Sequence, residues 1–149
     1  MLRSAAMRNH TIASSSQGKS HKMFLDHINI SVIDLEESIG LYQELFDWRV
    51  RWRGKTTFGK PAAHVGDDEQ YIGLIQVASD DQQRPDYSRP GLNHFGIVVE
   101  SLEKARETLA KRGISPHNKP EYEPGRRFYF FDPNGVEVEL IEYDDGSRA

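Results

Sequence analysis

The sequence predicts an α+β domain made of two consecutive βαβββ modules whose strands form a cupped, mostly antiparallel eight-stranded sheet. Three observations carry this reading. Two short runs, one opening near Phe24 and one near Gly91, share an alternating apolar pattern with a histidine on the opposite face. Each is followed by a capped amphipathic helix, and each helix by three further strand-like runs. The modules span about residues 24–78 and 91–143 of a domain covering 23–144.

The first strand reads Leu25, Asp26, His27, Ile28, Asn29, Ile30, Ser31, Val32, and its counterpart Leu92, Asn93, His94, Phe95, Gly96, Ile97, Val98, Val99. Ile28, Ile30 and Val32 share one face, as do Phe95, Ile97 and Val99, so His27 and His94 lie opposite the apolar side. Asp34 with Glu37 makes an N-terminal capping pattern, and Leu35, Ile39, Tyr42 and Phe46 then recur at helical spacing. Ser101 caps the second helix, whose stripe is Leu102, Ala105 and Leu109 and whose stop is Gly113. Strand-like runs follow at Trp48–Arg53, Ala62–Gly66 and Tyr71–Ala78, then at Ile114–Asn118, Arg127–Phe131 and Val136–Tyr143.

Ser79 to Pro90 is polar, contains Pro85 and Pro90, and reads as a linker between the modules. A duplicated unit with a linker at that point predicts two half-sheets about a pseudo-twofold axis, their helix-free faces making the cup toward which both histidines point. Asp132-Pro133-Asn134-Gly135 forms a turn, after which Val136, Val138 and Leu140 alternate with Glu137, Glu139 and Ile141. Glu139, in mid-strand, is costly to bury unless paired or bound to a metal, whereas Glu137, beside the turn, is expected to reach water.

Composition narrows the function. The chain has 149 residues, the length of one ordinary domain, and no cysteine, so disulfides, thiolate ligands and cysteine nucleophiles are excluded. Any metal must rest on imidazole and carboxylate, for which six histidines are available. No run approaches the roughly 18 apolar residues of a membrane span, so no membrane partner is expected. Arg3, Arg8, Lys19 and Lys22 stand in a first segment without acids, which leaves 15 of the 19 Lys and Arg against all 23 acids in the rest. An acidic body argues against nucleic acid as a partner. Residues 1–22, with Ser14, Ser15 and Ser16, lack an apolar h-region and read as a disordered basic tail, with an organelle transit peptide as the alternative; residues 145–149 read as a short C-terminal tail. The expected location is cytoplasmic.

His27 in the opening strand, the run His94-Phe95-Gly96-Ile97, and the run from Phe128 to Glu139 together resemble the vicinal oxygen chelate superfamily. That superfamily includes glyoxalase I, fosfomycin-resistance thiol transferases, methylmalonyl-CoA epimerase, extradiol dioxygenases and bleomycin-binding proteins. The resemblance implies a glyoxalase-like fold and a divalent metal, Zn, Mn, Ni or Fe(II), on His27, His94 and Glu139. Two neutral imidazoles and one carboxylate leave coordination positions open for a small substrate with adjacent oxygens. The implied function is glyoxalase-type lyase or isomerase chemistry or a related transfer, with extradiol-type dioxygenation and fosfomycin-type thiol transfer as alternatives. The resemblance also implies a homodimer, since some members exchange modules.

The chain departs from glyoxalase I on the fourth strand, where Tyr71-Ile72-Gly73-Leu74-Ile75-Gln76-Val77 offers Gly73, or Gln76 with a shift, in place of a second glutamate. Glutamine cannot serve as a base. Tyr129 and Arg127 are the substrate-binding candidates, a phenol and a guanidinium suited to an anion, and His64 is the acid or base candidate. A reading of a different class is a metal-free cup in which Trp48, Trp52, Tyr71 and Tyr129 clasp a small molecule, as in bleomycin-sequestering proteins.

Overall fold

The computed structural model describes residues 23–119 and 124–144; the expected tails, 1–22 and 145–149, lie outside them. The first module runs β1 (His27–Val32), α1 (Leu35–Phe46), β2 (Arg49–Lys55), β3 (Pro61–Gly66) and β4 (Tyr71–Gln76). The second runs β5 (His94–Val98), α2 (Leu102–Lys111), β6 (Arg126–Phe131) and β7 (Glu137–Glu142). The strands form two sheets, ordered β1-β4-β3-β2 and β5-β7-β6, in which β1 and β5 pair in parallel with the last strand of their modules and the other pairs are antiparallel. The α+β duplication is as expected.

One element differs. The run Ile114–Asn118 makes only a single bridge, His117 with Tyr129, closed by backbone hydrogen bonds of 2.7 and 2.9 Å. Pro116 has no N–H to donate to a ladder, which limits pairing in this run. The second sheet therefore has three strands where four were expected among these residues.

Both helices start where the side chains say they should. Asp34 accepts from the Glu37 N–H at 3.0 Å, and Ser101 accepts from the Lys104 N–H at 3.3 Å, each satisfying a donor of the first helical turn. The α1 stripe packs on β1, β3 and β4: Leu35, Ile39 and Tyr42 join Ile30, Val32, Val65 and Leu74 in one core. Leu41, outside that stripe, enters a second core with Leu102, Leu109, Phe128, Phe130 and Leu140. Helix α1 thus belongs to both modules, while Phe46 and Phe95 pack against both cores.

A buried polar link reinforces this junction. The Tyr42 hydroxyl donates to Asp132 at 2.9 Å, and Asn134 donates to Ser38 at 3.1 Å while its carbonyl accepts from the Ile33 N–H at 2.8 Å. Burial first, then the adjacent Asp132, pushes the Tyr42 phenol well above its ordinary pKa, so it stays a donor. With one side of each sheet covered by helix, the opposite faces carry His27 and His94.

Candidate metal centre

Strand register assembles the second module's helix-free face. Gly96 on β5 stands opposite Glu139 on β7, which stands opposite Tyr129 on β6; one step along, His94, Glu137 and Phe131 form the next row. Gly96 has no side chain to cover Glu139, so His94 reaches diagonally and sets its Nε2 at 3.2 Å from the Glu139 carboxylate Oε2. Glu139 is buried, and His94 is partly open to solvent.

The other oxygen of Glu139 is held from two sides. Arg127 donates to Oε1 at 3.0 Å and the Tyr129 hydroxyl also donates to it at 3.0 Å. Arg127 donates in addition to the Pro124 carbonyl at 2.6 Å. Charge pairing in the interior offsets the cost of taking Glu139 out of water, and two donors on one oxygen leave the other aimed at His94. The described hydrogen bonds of Arg127 and Tyr129 therefore orient Glu139.

Glu137 does not reach water as its place beside the turn suggested. It is 2% exposed and paired on every side: Lys119 donates to Oε2 at 2.8 Å, Tyr87 donates to the same oxygen, and His117 meets Oε1 at 2.8 Å. Burial works to raise its pKa, but the hydrogen bonds from Lys119, Tyr87 and His117 outweigh burial and hold the carboxyl below the usual glutamate range. The reason is tertiary. The polar segment 79–90 lies against this sheet, with Gln82 donating to the Pro133 carbonyl at 2.7 Å and Arg84 over the Phe131 ring at 4.2 Å, and this brings Tyr87 over Glu137. Tyr87, His117 and Lys119 were not singled out by sequence, because nothing in a linker or an irregular run marks which residue a strand will meet.

On the first sheet the helix-free face is aromatic. His27 stacks on Tyr71 at 4.6 Å, Tyr71 on His64 at 4.4 Å, and His64 meets Trp52 at 4.9 Å, a cross-strand row running from β1 to β2. The His27 Nδ1 is 2.8 Å from the Asp26 carboxylate. Burial above all, with the charges of His27 and Arg51, lowers the His64 pKa, so its imidazole is neutral at pH 7 and suited to accept a proton rather than donate one. Trp48 packs on Phe46 at the edge of the core.

No carboxylate replaces the missing one on β4. A Cβ on Gly73 would meet the Asn29 Oδ1 at 1.8 Å, so the Asn29 amide occupies the space a side chain there would take. Gln76 turns the other way and accepts from the Leu35 N–H at 3.1 Å, at the start of α1.

One chain brings His94 and Glu139 together and leaves His27 on the other sheet. Among the described residues no three His, Asp or Glu side chains converge as a metal site. His27 and His94 do border one apolar groove of about 380 Å³, along with Trp48, Tyr71 and Phe95. The His94–Glu139 pair itself fits an ion: two ligands standing about 2.0–2.2 Å from one metal at tetrahedral or octahedral angles are about 2.8–3.6 Å apart, which spans the observed 3.2 Å.

The sequence profile of the glyoxalase/bleomycin resistance protein/dioxygenase superfamily matches residues 24–140. The glutathione transferase FosA of Serratia marcescens is 29% identical over 124 residues, covering 78% of each chain. A glyoxylase/bleomycin resistance protein/dioxygenase domain from Frankia sp. EAN1pec superposes with a TM-score of 0.68 at 28% identity, covering 85% of this chain and 96% of that one. The fosfomycin resistance protein FosX from Listeria monocytogenes, solved with Mn(II) and sulfate, shares the fold with a TM-score of 0.62 at 22% identity, over 80% of this chain and 91% of its own.

Proposed function

Because the chain belongs to the glyoxalase/bleomycin resistance protein/dioxygenase superfamily, we propose that it is a metal-dependent enzyme acting on a small oxygen-rich substrate, and that it works as a homodimer. In this reading His94 and Glu139 of one subunit and His27 of the partner subunit hold a divalent metal. The observation that carries it is the 3.2 Å approach of the His94 Nε2 to a buried carboxylate oxygen whose twin is already satisfied by Arg127 and Tyr129. His27 on a different sheet, together with exposed Phe24, Leu25 and Leu92 on the chain leading into the two edge strands, supports completion of the site by a second copy.

A bound divalent ion would supply Lewis-acid polarisation of the substrate oxygens and stabilise the negative charge that develops on them. The chain's own residues do the rest. Arg127 and Tyr129 keep Glu139 fixed and flank the substrate side of the site, and the aromatic row that stacks on the partner's His27, made of the partner's Trp52, the partner's His64 and the partner's Tyr71, forms the opposing wall. His64 of the partner subunit, neutral, takes the proton of an incoming nucleophile. Glyoxalase-type proton shuttling is disfavoured by the empty carboxylate position at Gly73, and an addition is favoured. The chemistry to test first is opening of an epoxide by a thiol, as the likeness to the glutathione transferase suggests: the sulfur–carbon bond forms, the carbon–oxygen bond breaks, and the released oxygen takes up a proton.

The test is metal content by mass spectrometry on protein purified without chelator or nickel resin, wild type against Glu139→Ala, followed by a Mn(II)-supplemented assay for the fosfomycin–glutathione adduct. The expected result is near-stoichiometric metal lost in the variant, with adduct formed by the wild type alone. Absence of metal in both proteins after reconstitution with Zn(II), Mn(II), Ni(II) and Fe(II) would overturn the reading and leave the aromatic cup as a small-molecule binding face.

A further inference from the structure

We propose that Tyr87 is a positioning residue for His94: it fixes the imidazole as the Nδ1–H tautomer and thereby turns a bare Nε2 lone pair toward Glu139. The argument is a count of protons. The Tyr87 oxygen lies within hydrogen-bond distance of three groups, the Glu137 carboxylate, the Lys119 ammonium and the His94 Nδ1, the last at 3.1 Å. A phenol has one proton to donate and can accept two. Glu137 is a carboxylate ringed by Lys119 and His117 and can only accept, so the close Tyr87–Glu137 contact uses the phenol proton. Lys119 can only donate, and it takes one acceptor position on the phenol. Toward His94 the phenol has nothing left but an acceptor position, so the hydrogen in the Tyr87–His94 bond sits on Nδ1.

The consequence falls on the far side of the ring. With the proton on Nδ1, Nε2 and the Glu139 Oε2 face each other at 3.2 Å as two acceptors, an arrangement that a cation between them relieves. Ring contacts keep the imidazole in that pose: Tyr87 lies 6.3 Å away at 20° to its plane and Tyr129 meets it edge-on at 5.6 Å. A partner on the second nitrogen of a ligating histidine governs its tautomer, its orientation and its affinity for metal. The role of Nε2 as a ligand rests on the function proposed above; the tautomer does not.

Two measurements on wild type and Tyr87→Phe test this. The first is the long-range 15N–1H correlation pattern of the His94 ring in metal-free protein at about pH 9, well above the ordinary imidazole pKa. We expect wild-type His94 protonated on Nδ1 alone, and a mixture of tautomers once the hydroxyl is gone. The second is Mn(II) and Zn(II) affinity, expected to fall about 10–100-fold in the variant. A wild-type ring protonated on Nε2, alone or with Nδ1, would overturn the proposal, as would a variant with the wild-type ring pattern. Wild-type protein that takes up neither metal would fell the metal reading, while the tautomer comparison, made without metal, would still decide the role of Tyr87.

Discussion

Glu137 and Glu139 stand two positions apart on one face of β7, and their neighbours give them different tasks. Glu139 has one oxygen satisfied and one turned to His94, whereas Glu137 is enclosed by a phenol, an ammonium and an imidazole and stays ionised as a support. Removing a partner from such groups leaves a buried acceptor short of a donor. Tyr42→Phe is therefore expected to lower stability by about 1–3 kcal/mol in urea denaturation, because Asp132 loses a buried hydrogen bond while the ring volume is kept. His64 gives a pH dependence whose sign follows from its lowered pKa. The unfolded chain takes up the proton near pH 6.5 and the folded chain only at lower pH, so between the two values the unfolded state binds more protons. Its contribution to stability is complete above about pH 6.5 and is lost as pH falls through the folded value. Urea midpoints measured from pH 7.5 down to 5.5, a window of about one unit either side of the ordinary value, should decline more steeply for wild type than for His64→Gln.

At the scale of elements, α1 does more than cover its own sheet. Leu41 is fully buried against the second module although it lies off the stripe that faces β1, β3 and β4. Leu41→Ala is expected to cost about 2–5 kcal/mol, read as a lowered denaturation midpoint, because the junction between modules would be left with a cavity. The tight β3–β4 connection sets another limit. A Cβ on Gly66 would lie 2.1 Å from the Gln70 carbonyl oxygen, so Gly66→Ala must displace backbone and should destabilise by about 1–3 kcal/mol in the same measurement. The helices, their caps and the apolar faces of β1 and β5 were legible in the sequence because each depends on neighbours within a few residues. The shortened pairing at Ile114–Asn118 was not, since apolar and polar residues alternate there as in a strand and the limiting feature is the N–H that Pro116 lacks.

For the whole molecule the decisive matter is which face of one module meets which face of the other. His27 and His94 occupy equivalent positions in a duplicated pattern, yet one chain joins only His94 to Glu139. If the site is completed across a homodimer, His27→Ala and Glu139→Ala proteins should each bind no metal alone but regain part of it when mixed, unfolded and refolded together, because the mixed dimer holds one intact set of ligands. Metal content of the mixture checks this, and a mixture as empty as its parents would count against a shared site. What the sequence by itself determined was the duplication, the placing of His27 and His94 on equivalent strands opposite their apolar sides, the mid-strand place of Glu139, and the lack of a carboxylate on β4, since periodicity and residue type express those directly. Only the tertiary structure decided that Arg127 and Tyr129 hold Glu139, that Glu137 is buried, and that from irregular segments Tyr87 meets His94 and Lys119 meets Tyr87 and Glu137. Those contacts join residues 7 to 50 positions apart through side chains whose meeting depends on how a loop packs across a sheet, and no local pattern encodes that.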